Sequence, residues 1–353
     1  MSKRHIAYLA CTAALVGTAL GAAPPAAHPT VHVVRPGQSI QKAVDAAAPG
    51  DVVQLTAGVY HESVKVSTPG LTLRGLGGQT VIRPGTKKAA AGSCAEGGNG
   101  ICVIGTKDHD VEDVTVASLT VTGFTRSGVF AMATDRLTVR GVTAVGNGVW
   151  GIAQERSVRG VFRHNTLRDN GDAGLFLANT VKTEEGAADT RGTSVAHNRM
   201  EGNRIGVTVR RLRNLTVADN RITGNCAGVF VVGDENEPRA GALTVRGNHV
   251  VANNKSCPKT DRLEALQGSG IVVTGAEDTL VTRNVVRDNA GSSSMSGGIV
   301  LFKSFVGTTN EHNRISDNVL RGNSPADLVD TDTARDNTFE GNRCAASKPA
   351  GLC

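Results

Sequence analysis

The sequence is poor in aromatic residues: its 353 residues include one tryptophan, two tyrosines and eight phenylalanines, against 43 glycines. With 39% apolar residues overall, so few rings indicate thin aliphatic packing layers and many turns. The chain also lacks a C-x-x-C pair and any run of basic residues. Without a basic run, and with almost no rings to stack on bases, the sequence argues against a nucleic-acid partner.

An apolar stretch from Ile6 to Leu20 follows Lys3 and Arg4 at the N-terminus and precedes small residues. This arrangement is typical of a secretory signal peptide, and the stretch is short for a membrane span. We expect residues 1–27 to be the signal, with cleavage near 21–27. Residues 28–353 would then form one secreted, monomeric domain with no membrane anchor.

Six cysteines remain once the signal and Cys11 are removed. An even number of cysteines in an exported chain predicts disulfides. Many connectivities are open in principle, but sequence neighbourhood favours Cys94–Cys102, Cys226–Cys257 and Cys344–Cys353. A metal site is disfavoured, since no histidine stands beside these cysteines.

An asparagine repeat dominates the second half of the chain. Seven times an Asn is followed two places on by an apolar residue and five places on by a second Asn. The first residues of the seven pairs are Asn165, Asn198, Asn220, Asn248, Asn284, Asn318 and Asn337. Asn tolerates the left-handed turn conformation, and stacked Asn side chains can hydrogen-bond as a ladder. The repeat therefore predicts a solenoid whose coils turn at asparagines.

Each coil is predicted to contain three short strands, because apolar residues alternate around the Asn pairs and a Gly-apolar run follows. One coil cannot bury its own apolar side chains, so successive coils must stack in parallel. We expect an all-β fold, a single-stranded parallel β-helix of about ten coils. Ser39 is placed to cap a short helix that covers the open N-terminal end.

The N-terminal segment runs from Ser39-Ile40-Gln41-Lys42-Ala43-Val44-Asp45 through Pro49-Gly50-Asp51 and Gly58-Val59-Tyr60 to Gly70-Leu71-Thr72-Leu73-Arg74-Gly75. Together with the Asn coils, it resembles the pectate-lyase-like right-handed parallel β-helix superfamily over nearly the whole mature chain. The resemblance implies the fold and leaves the reaction open. That superfamily includes polysaccharide lyases, glycoside hydrolases, esterases, uronate epimerases and non-catalytic proteins.

Candidate catalytic residues follow the third strand of each coil, where like positions of neighbouring coils form columns. A lyase needs a base and a cation for the uronate carboxylate. For these roles we consider Arg156, Arg210, Arg211 and Lys303. A hydrolase needs two carboxylates across the bond, and here the available pair is Glu155 with Asp234 or Glu235.

Metal sites are weakly indicated. Calcium, which the resemblance suggests, would use Asp234, Glu235 and Glu237, the tightest acidic cluster in a loop. His164, His197 and Asp219 share one place in three consecutive coils. Such a column is either a solvated ladder or a divalent-metal site, and we favour the solvated ladder. Asp108-His109-Asp110 is interpreted as a polar turn. Trp150 is interpreted as a residue that packs in the core or as a platform for a sugar ring.

The formal net charge is +6, and it falls by two to +4 when Lys3 and Arg4 leave with the signal. A mild basic excess suits an acidic polymer. We therefore predict a secreted β-helix that acts on an extracellular polysaccharide, more readily an acidic one, by β-elimination or a related reaction. The alternatives are a non-catalytic carbohydrate-binding or cell-surface structural β-helix, and a glycoside hydrolase with paired carboxylates.

Overall fold

A computed structural model describes residues 28–86, 88–106, 108–181, 183–261 and 263–353. The predicted signal peptide, residues 1–27, lies outside the described residues. The chain winds through three long parallel sheets in turn, which we name A, B and C in the order a coil visits them. They contain 12, 10 and 11 strands, so the prediction of a parallel β-helix of about ten coils is confirmed.

The strand bounds are as follows. Sheet A contains Val31–Val34, Val52–Leu55, Thr72–Arg74, Thr115–Ala117, Thr138–Arg140, Val161–Arg163, Ala188–Ala196, Leu212–Ala218, Thr244–Arg246, Leu280–Thr282, Arg314–Ser316 and Thr338–Glu340. Sheet B contains Gly58–His61, Thr80–Arg83, Thr120–Thr122, Thr143–Val145, Thr166–Arg168, Arg199–Glu201, Arg221–Thr223, His249–Val251, Val285–Arg287 and Val319–Arg321. Sheet C contains Val64–Val66, Ile101–Ile104, Ser127–Met132, Trp150–Glu155, Ala173–Ala178, Ile205–Arg210, Ala227–Val232, Ser269–Thr274, Gly297–Phe302, Leu328–Asp330 and Ser347–Lys348. A two-stranded sheet pairs Val111–Glu112 with Thr134–Asp135, and a 3₁₀ turn spans Gly77–Gln79.

The hydrophobic core fills the space between the three sheets. Most strands of sheets A and B are three residues long, so only the middle side chain of each points inward. The inward residues of sheet A pair in register along the axis: Phe162, Val195 and Val217 are at most 1% exposed. The apolar periodicity of the sequence thus becomes continuous columns along the axis.

Two asparagine ladders form the corners on either side of sheet B. In the A–B ladder, Asn220 donates from Nδ2 to Val195 O (3.0 Å) and to Asn248 Oδ1 (2.9 Å). Its own Oδ1 accepts the backbone N–H and the side-chain amide of Asn198, at 2.9 and 3.0 Å. The B–C ladder repeats this pattern from Asn147 to Asn323, where Asp327 accepts the last amide. The prediction of asparagine ladders is confirmed.

The seventh Asn pair departs from the predicted alignment. Asn342, rather than Asn337, continues the A–B ladder by accepting from Asn318 Nδ2 at 2.9 Å. Asn337 accepts from Asn313 instead, one corner earlier in the coil. The reason is that Phe339, between the two, pairs with Ile315 in sheet A, whereas the other six pairs flank sheet B strands.

The helix Ile40–Ala46 lies at the N-terminal end of the stack, as the sequence predicts. Ser39 caps it by accepting from Lys42 N, and Glu62 accepts from Ile40 N at 2.7 Å. Ile40 and Val44 are 0% and 2% exposed, so this amphipathic face closes the first coils. Among the described residues, no helix is long and apolar enough to cross a membrane.

Three disulfides join Cys94 to Cys102, Cys226 to Cys257 and Cys344 to Cys353. These are the pairs that sequence neighbourhood favours. The first and last disulfides close short loops. The second joins Cys226, just before the strand Ala227–Val232, to a long loop over sheet C. Disulfides are typical of exported proteins.

The ladder can be tested at its middle. Replacing Asn220 by Ala removes four side-chain hydrogen bonds at a position that is 1% exposed, and it deprives the buried Asn198 and the Val195 carbonyl of the preceding coil of a partner. We expect the free energy of unfolding to fall by about 3 kcal/mol, measured by denaturant titration. Arg221→Ala is the matched control. Arg221 is the exposed neighbour of Asn220, so its truncation should change the free energy of unfolding by less than about 0.5 kcal/mol.

Candidate functional site

The predicted catalytic column lies at the C-terminal edge of sheet C. Glu155, Ala178, Arg210 and Val232 occupy one register position in four successive strands. The sequence therefore aligned these coils in the register that the structure has. What the column does depends on the partners of its polar side chains.

Arg211 fastens two loops to the coil. Its side chain is 1% exposed, and Nη2 donates to the carbonyl oxygens of Thr180 and Thr183, both at 2.9 Å. Its Nη1 lies 3.4 Å from Asp234 Oδ2 in the next loop, and the neighbouring Arg210 also donates to Thr180 O at 3.2 Å. A guanidinium enclosed in this way holds the loops in place and is shielded from solvent.

The carboxylate pair expected of a hydrolase is not assembled. Glu155 is 7% exposed, and its Oε2 accepts the Val181 backbone N–H at 3.3 Å beneath the loop that follows Ala178. Asp234 is engaged by Arg211 and by Asn236, whose side-chain amide lies 3.1 Å from Oδ1. Both carboxylates therefore stabilise loops.

Arg156 and Lys303 are exposed but lie far apart. They follow strands Trp150–Glu155 and Gly297–Phe302, which are separated by five strand spacings in sheet C. At about 4.8 Å per spacing, this places the two residues roughly 24 Å apart along the axis. The structure therefore does not bring them into one site.

The outer face of sheet C is closed over most of its length by a second apolar cluster. Phe176, Phe230 and Val272 are 7%, 4% and 0% exposed on this face. Leu266, in the loop held by the Cys226–Cys257 disulfide, packs against the same cluster. The cluster seals the middle of this face against solvent.

The corner that joins sheet C to sheet A carries paired charges. Arg159 Nε lies 2.6 Å from Asp135 Oδ1, and Arg136 Nε lies 2.6 Å from Asp113 Oδ1. The hydrogen bond from Arg159 holds the pKa of Asp135 below its usual range, and Arg136 does the same to the pKa of Asp113. These charges neutralise one another and stabilise the turns.

A solvent-open recess of about 390 Å³ lies at the corner between sheets A and B. His164, His197 and Asp219 line it from three successive coils, each with a left-handed backbone (φ 55°, 56° and 56°). The two imidazole rings are stacked, with centroids 5.3 Å apart and planes 9° from parallel. Arg199 and Arg221 line the recess on its sheet B side.

The amide ladder explains why these side chains point outward together. Each left-handed residue immediately precedes a ladder Asn that is at most 2% exposed: Asn165, Asn198 and Asn220. Because the Asn turns inward, the residue before it is left on the surface at the same place in every coil.

Basic residues surround the recess in three adjacent columns over four coils. We call the exposed ones the corner band: Arg163, His164, His197, Arg199, Arg221, Arg246 and His249. Two carboxylates interrupt it, Glu201 at 2.7 Å from Arg199 Nη2 and Asp219 at 3.5 Å from Arg246 Nη1. Within the described chain, Arg163, Arg221 and His249 form no ion pair, so the band keeps a basic excess.

Of this surface, only the histidine column is predicted from the sequence. A second column, in which each residue directly follows a ladder Asn, is not predicted: Thr166, Arg199, Arg221 and His249. The same repeat that aligned the asparagines contained this signal. Asp108-His109-Asp110 lies in an exposed turn and stays outside the recess.

The sequence model of a family described as periplasmic copper-binding protein (NosD) matches residues 179–349. No curated protein matches the chain in sequence. The family match covers slightly less than half of the chain and falls on the Asn coils.

Several solved structures share the fold. The A-module of Azotobacter vinelandii mannuronan C-5 epimerase AlgE4 has 19% identity and a TM-score of 0.57, covering 88% of this chain and 91% of its own. Alginate lyase from Paenibacillus sp. FPU-7 has 14% identity and a TM-score of 0.55, with 89% and 99% coverage. DFA-IIIase from Arthrobacter chlorophenolicus A6 has 13% identity and a TM-score of 0.55, with 90% and 92% coverage. The chain shares the right-handed parallel β-helix fold with these structures.

The described residues do not fit a copper or calcium centre. All six of their cysteines are in disulfides, which leaves no thiolate for copper. No three His, Cys, Asp or Glu side chains in this part of the chain form a group that could hold a metal. The expected calcium cluster of Asp234, Glu235 and Glu237 is therefore not assembled, because Asp234 faces Arg211.

The loop-anchoring role of Arg211 predicts a loss of stability on substitution. Arg211→Met keeps the stem but removes the hydrogen bonds to the carbonyls of Thr180 and Thr183 and the ion pair with Asp234. We expect a loss of about 2–3 kcal/mol in denaturant unfolding, with faster proteolysis of residues 179–187. Arg156→Ala, exposed in the same region, should change stability by less than about 0.5 kcal/mol. A fully stable Arg211→Met would mean that the side chain anchors nothing.

Proposed function

We propose that the protein is exported and binds an acidic polysaccharide along the corner band. The observation that carries the proposal is the alignment of exposed guanidinium and imidazole groups in three columns over four successive coils. Export is supported by the predicted signal peptide and by the three disulfides.

The spacing of the band suits a linear polymer. Side chains of one column repeat at about 4.8 Å along the axis, so a chain lying parallel to the axis meets a basic group at each coil. Guanidinium groups bind carboxylates through two parallel hydrogen bonds, which favours uronate residues over neutral sugars. Several weak contacts along one chain add up to useful avidity.

The fold relatives support a polysaccharide ligand. The names of two of them specify mannuronan and alginate, both of which are polymers of carboxylate-bearing sugars. Because their sequence identity to this chain is low, we infer the ligand of this chain from its own surface. That surface is basic at the A–B corner, while at the C–A corner Arg136 and Arg159 are paired with Asp113 and Asp135.

Polymer retention tests the binding function. The double variant Arg163→Ala/Arg221→Ala should bind alginate and polygalacturonate about five- to tenfold more weakly, since each exposed ionic contact contributes about 0.2–1 kcal/mol. Affinity electrophoresis or calorimetry would measure this, and added salt should weaken wild-type binding. Arg156→Ala/Lys303→Ala is the matched control and should bind as wild type. Equal losses in both pairs would contradict the assignment to the corner band.

A second candidate function is β-elimination in the recess, because imidazoles stand beside guanidiniums there. In this reaction a base removes the proton from the sugar carbon that bears the carboxylate. The electron pair forms a double bond to the neighbouring carbon, and the glycosidic C–O bond breaks as its oxygen takes up a proton. His164 or His197 would act as the base, and Arg199 or Arg221 would neutralise the carboxylate.

Elimination gives an unsaturated product that absorbs in the ultraviolet. If the recess is catalytic, this absorbance should rise when the wild-type protein acts on an acidic polysaccharide. In His164→Ala/His197→Ala the rate of that rise should be at least a hundredfold lower. The variant should remain folded, since both side chains are exposed. If wild type binds the polymers yet never produces the absorbance, elimination on them is ruled out and the binding function stands.

A further inference from the structure

A second cavity, of about 470 Å³, opens on a different edge, where sheet B leads into sheet C near the N-terminal coils. One wall is the loop closed by the Cys94–Cys102 disulfide, which contributes Glu96, Gly97 and Gly98. The opposite wall consists of Thr125, Arg126, Val149 and Trp150. Its volume falls within the roughly 300–1,000 Å³ typical of small-molecule sites.

The two walls are held together by the backbone. Arg126 N donates to Gly98 O at 2.9 Å, and Ser127 N donates to the buried Asn99 Oδ1 at 3.2 Å. Gly98 has φ +71°, and a Cβ there would lie 2.4 Å from Thr125 Oγ1, so only glycine allows this close approach. The cavity is therefore a defined feature of the fold.

Trp150 forms the floor with little freedom to move. It is 2% exposed, stacks on Phe176 with ring centroids 4.4 Å apart, and donates from Nε1 to Asp172 Oδ2 at 3.0 Å. The Arg126 guanidinium carbon lies 5.2 Å from its ring centroid. A cation held over an aromatic face in this way is pre-oriented.

The Arg126 side chain is exposed, and its guanidinium forms no hydrogen bond or ion pair with the described residues. Across the cavity, Glu96 uses Oε2 to accept Gly92 N at 2.6 Å, which leaves Oε1 for a further donor. Thr125 adds a hydroxyl and Val149 an apolar surface. The cavity thus offers a cation, two groups for sugar hydroxyls and a face for ring C–H groups.

We infer that this Trp150 cavity binds a single carboxylate-bearing sugar residue at the end of an oligosaccharide chain. The sugar carboxylate pairs with Arg126, and its hydroxyls donate to Glu96. The negative charge of Glu96 disfavours a second carboxylate nearby, which selects a chain end over the interior of a polyanion. The inference does not depend on the corner band, which lies at another corner of the coil.

Trp150 is the only tryptophan of the chain, so its fluorescence reports this cavity alone. The disulfide-bonded protein would be titrated with galacturonate and mannuronate oligosaccharides of two to four residues. The same oligosaccharides with their carboxylates reduced to alcohols are the matched ligands. We expect a saturable change in tryptophan emission with at least one acidic series and none with its reduced counterpart.

Arg126→Met keeps the stem on the indole while removing the charge, and it should weaken the acidic ligand at least tenfold. Arg126→Lys should recover part of the affinity. Arg163→Ala/Arg221→Ala should leave the titration unchanged while it weakens polymer retention, so the two proposals can fail separately. An equal response to reduced oligosaccharides, an unchanged affinity in Arg126→Met, or no emission change with any acidic ligand would overturn the inference.

Discussion

The asparagine side-chain amide is the interaction on which the rest of the structure depends. In the A–B ladder, for example, the Asn220 amide N–H groups reach a carbonyl of the preceding coil and the Asn of the next coil, while the amide oxygen accepts from the Asn of the coil before. One side chain therefore satisfies a turn that would otherwise bury unpaired backbone groups. It also fixes the register between coils, so every residue beside a ladder Asn is repeated in line along the axis.

This constraint produces the surface on which the functional proposal rests. The residue before each ladder Asn adopts a left-handed conformation and stays exposed, as at His164 and His197. The residue after it begins a sheet B strand and points outward, as at Arg199 and Arg221. Basic residues at these two places in successive coils necessarily become a band. On sheet C the opposite happens, because loops tied by Cys226–Cys257 and by Arg211 close over its outer face.

Most of the fold could be predicted from the sequence because its determinants are local and repeated. The Asn spacing, the apolar positions between them and the cap at Ser39 each act within one coil. The displaced last pair shows the limit: Asn337 and Asn342 keep the spacing but flank a sheet A strand, which only the pairing of Phe339 with Ile315 reveals.

The site was harder to predict, because a charged side chain after a strand has the same appearance in sequence whether it meets solvent or a loop. Arg211 and Glu155 lie in the predicted column, yet one loop engages both, 28 residues before Arg211 and 26 residues after Glu155. Arg199 and Arg221 receive no such cover. Which charges are covered depends on the paths of insertions, and these paths are set by long-range contacts that the repeat does not encode.

The most direct test of the account is a crystal structure of the mature protein with a bound acidic oligosaccharide of six or more residues. The account predicts that the sugar chain lies along the A–B corner, with its carboxylates on guanidinium groups of the corner band. A chain bound instead across the outer face of sheet C, with the covering loops displaced, would contradict it.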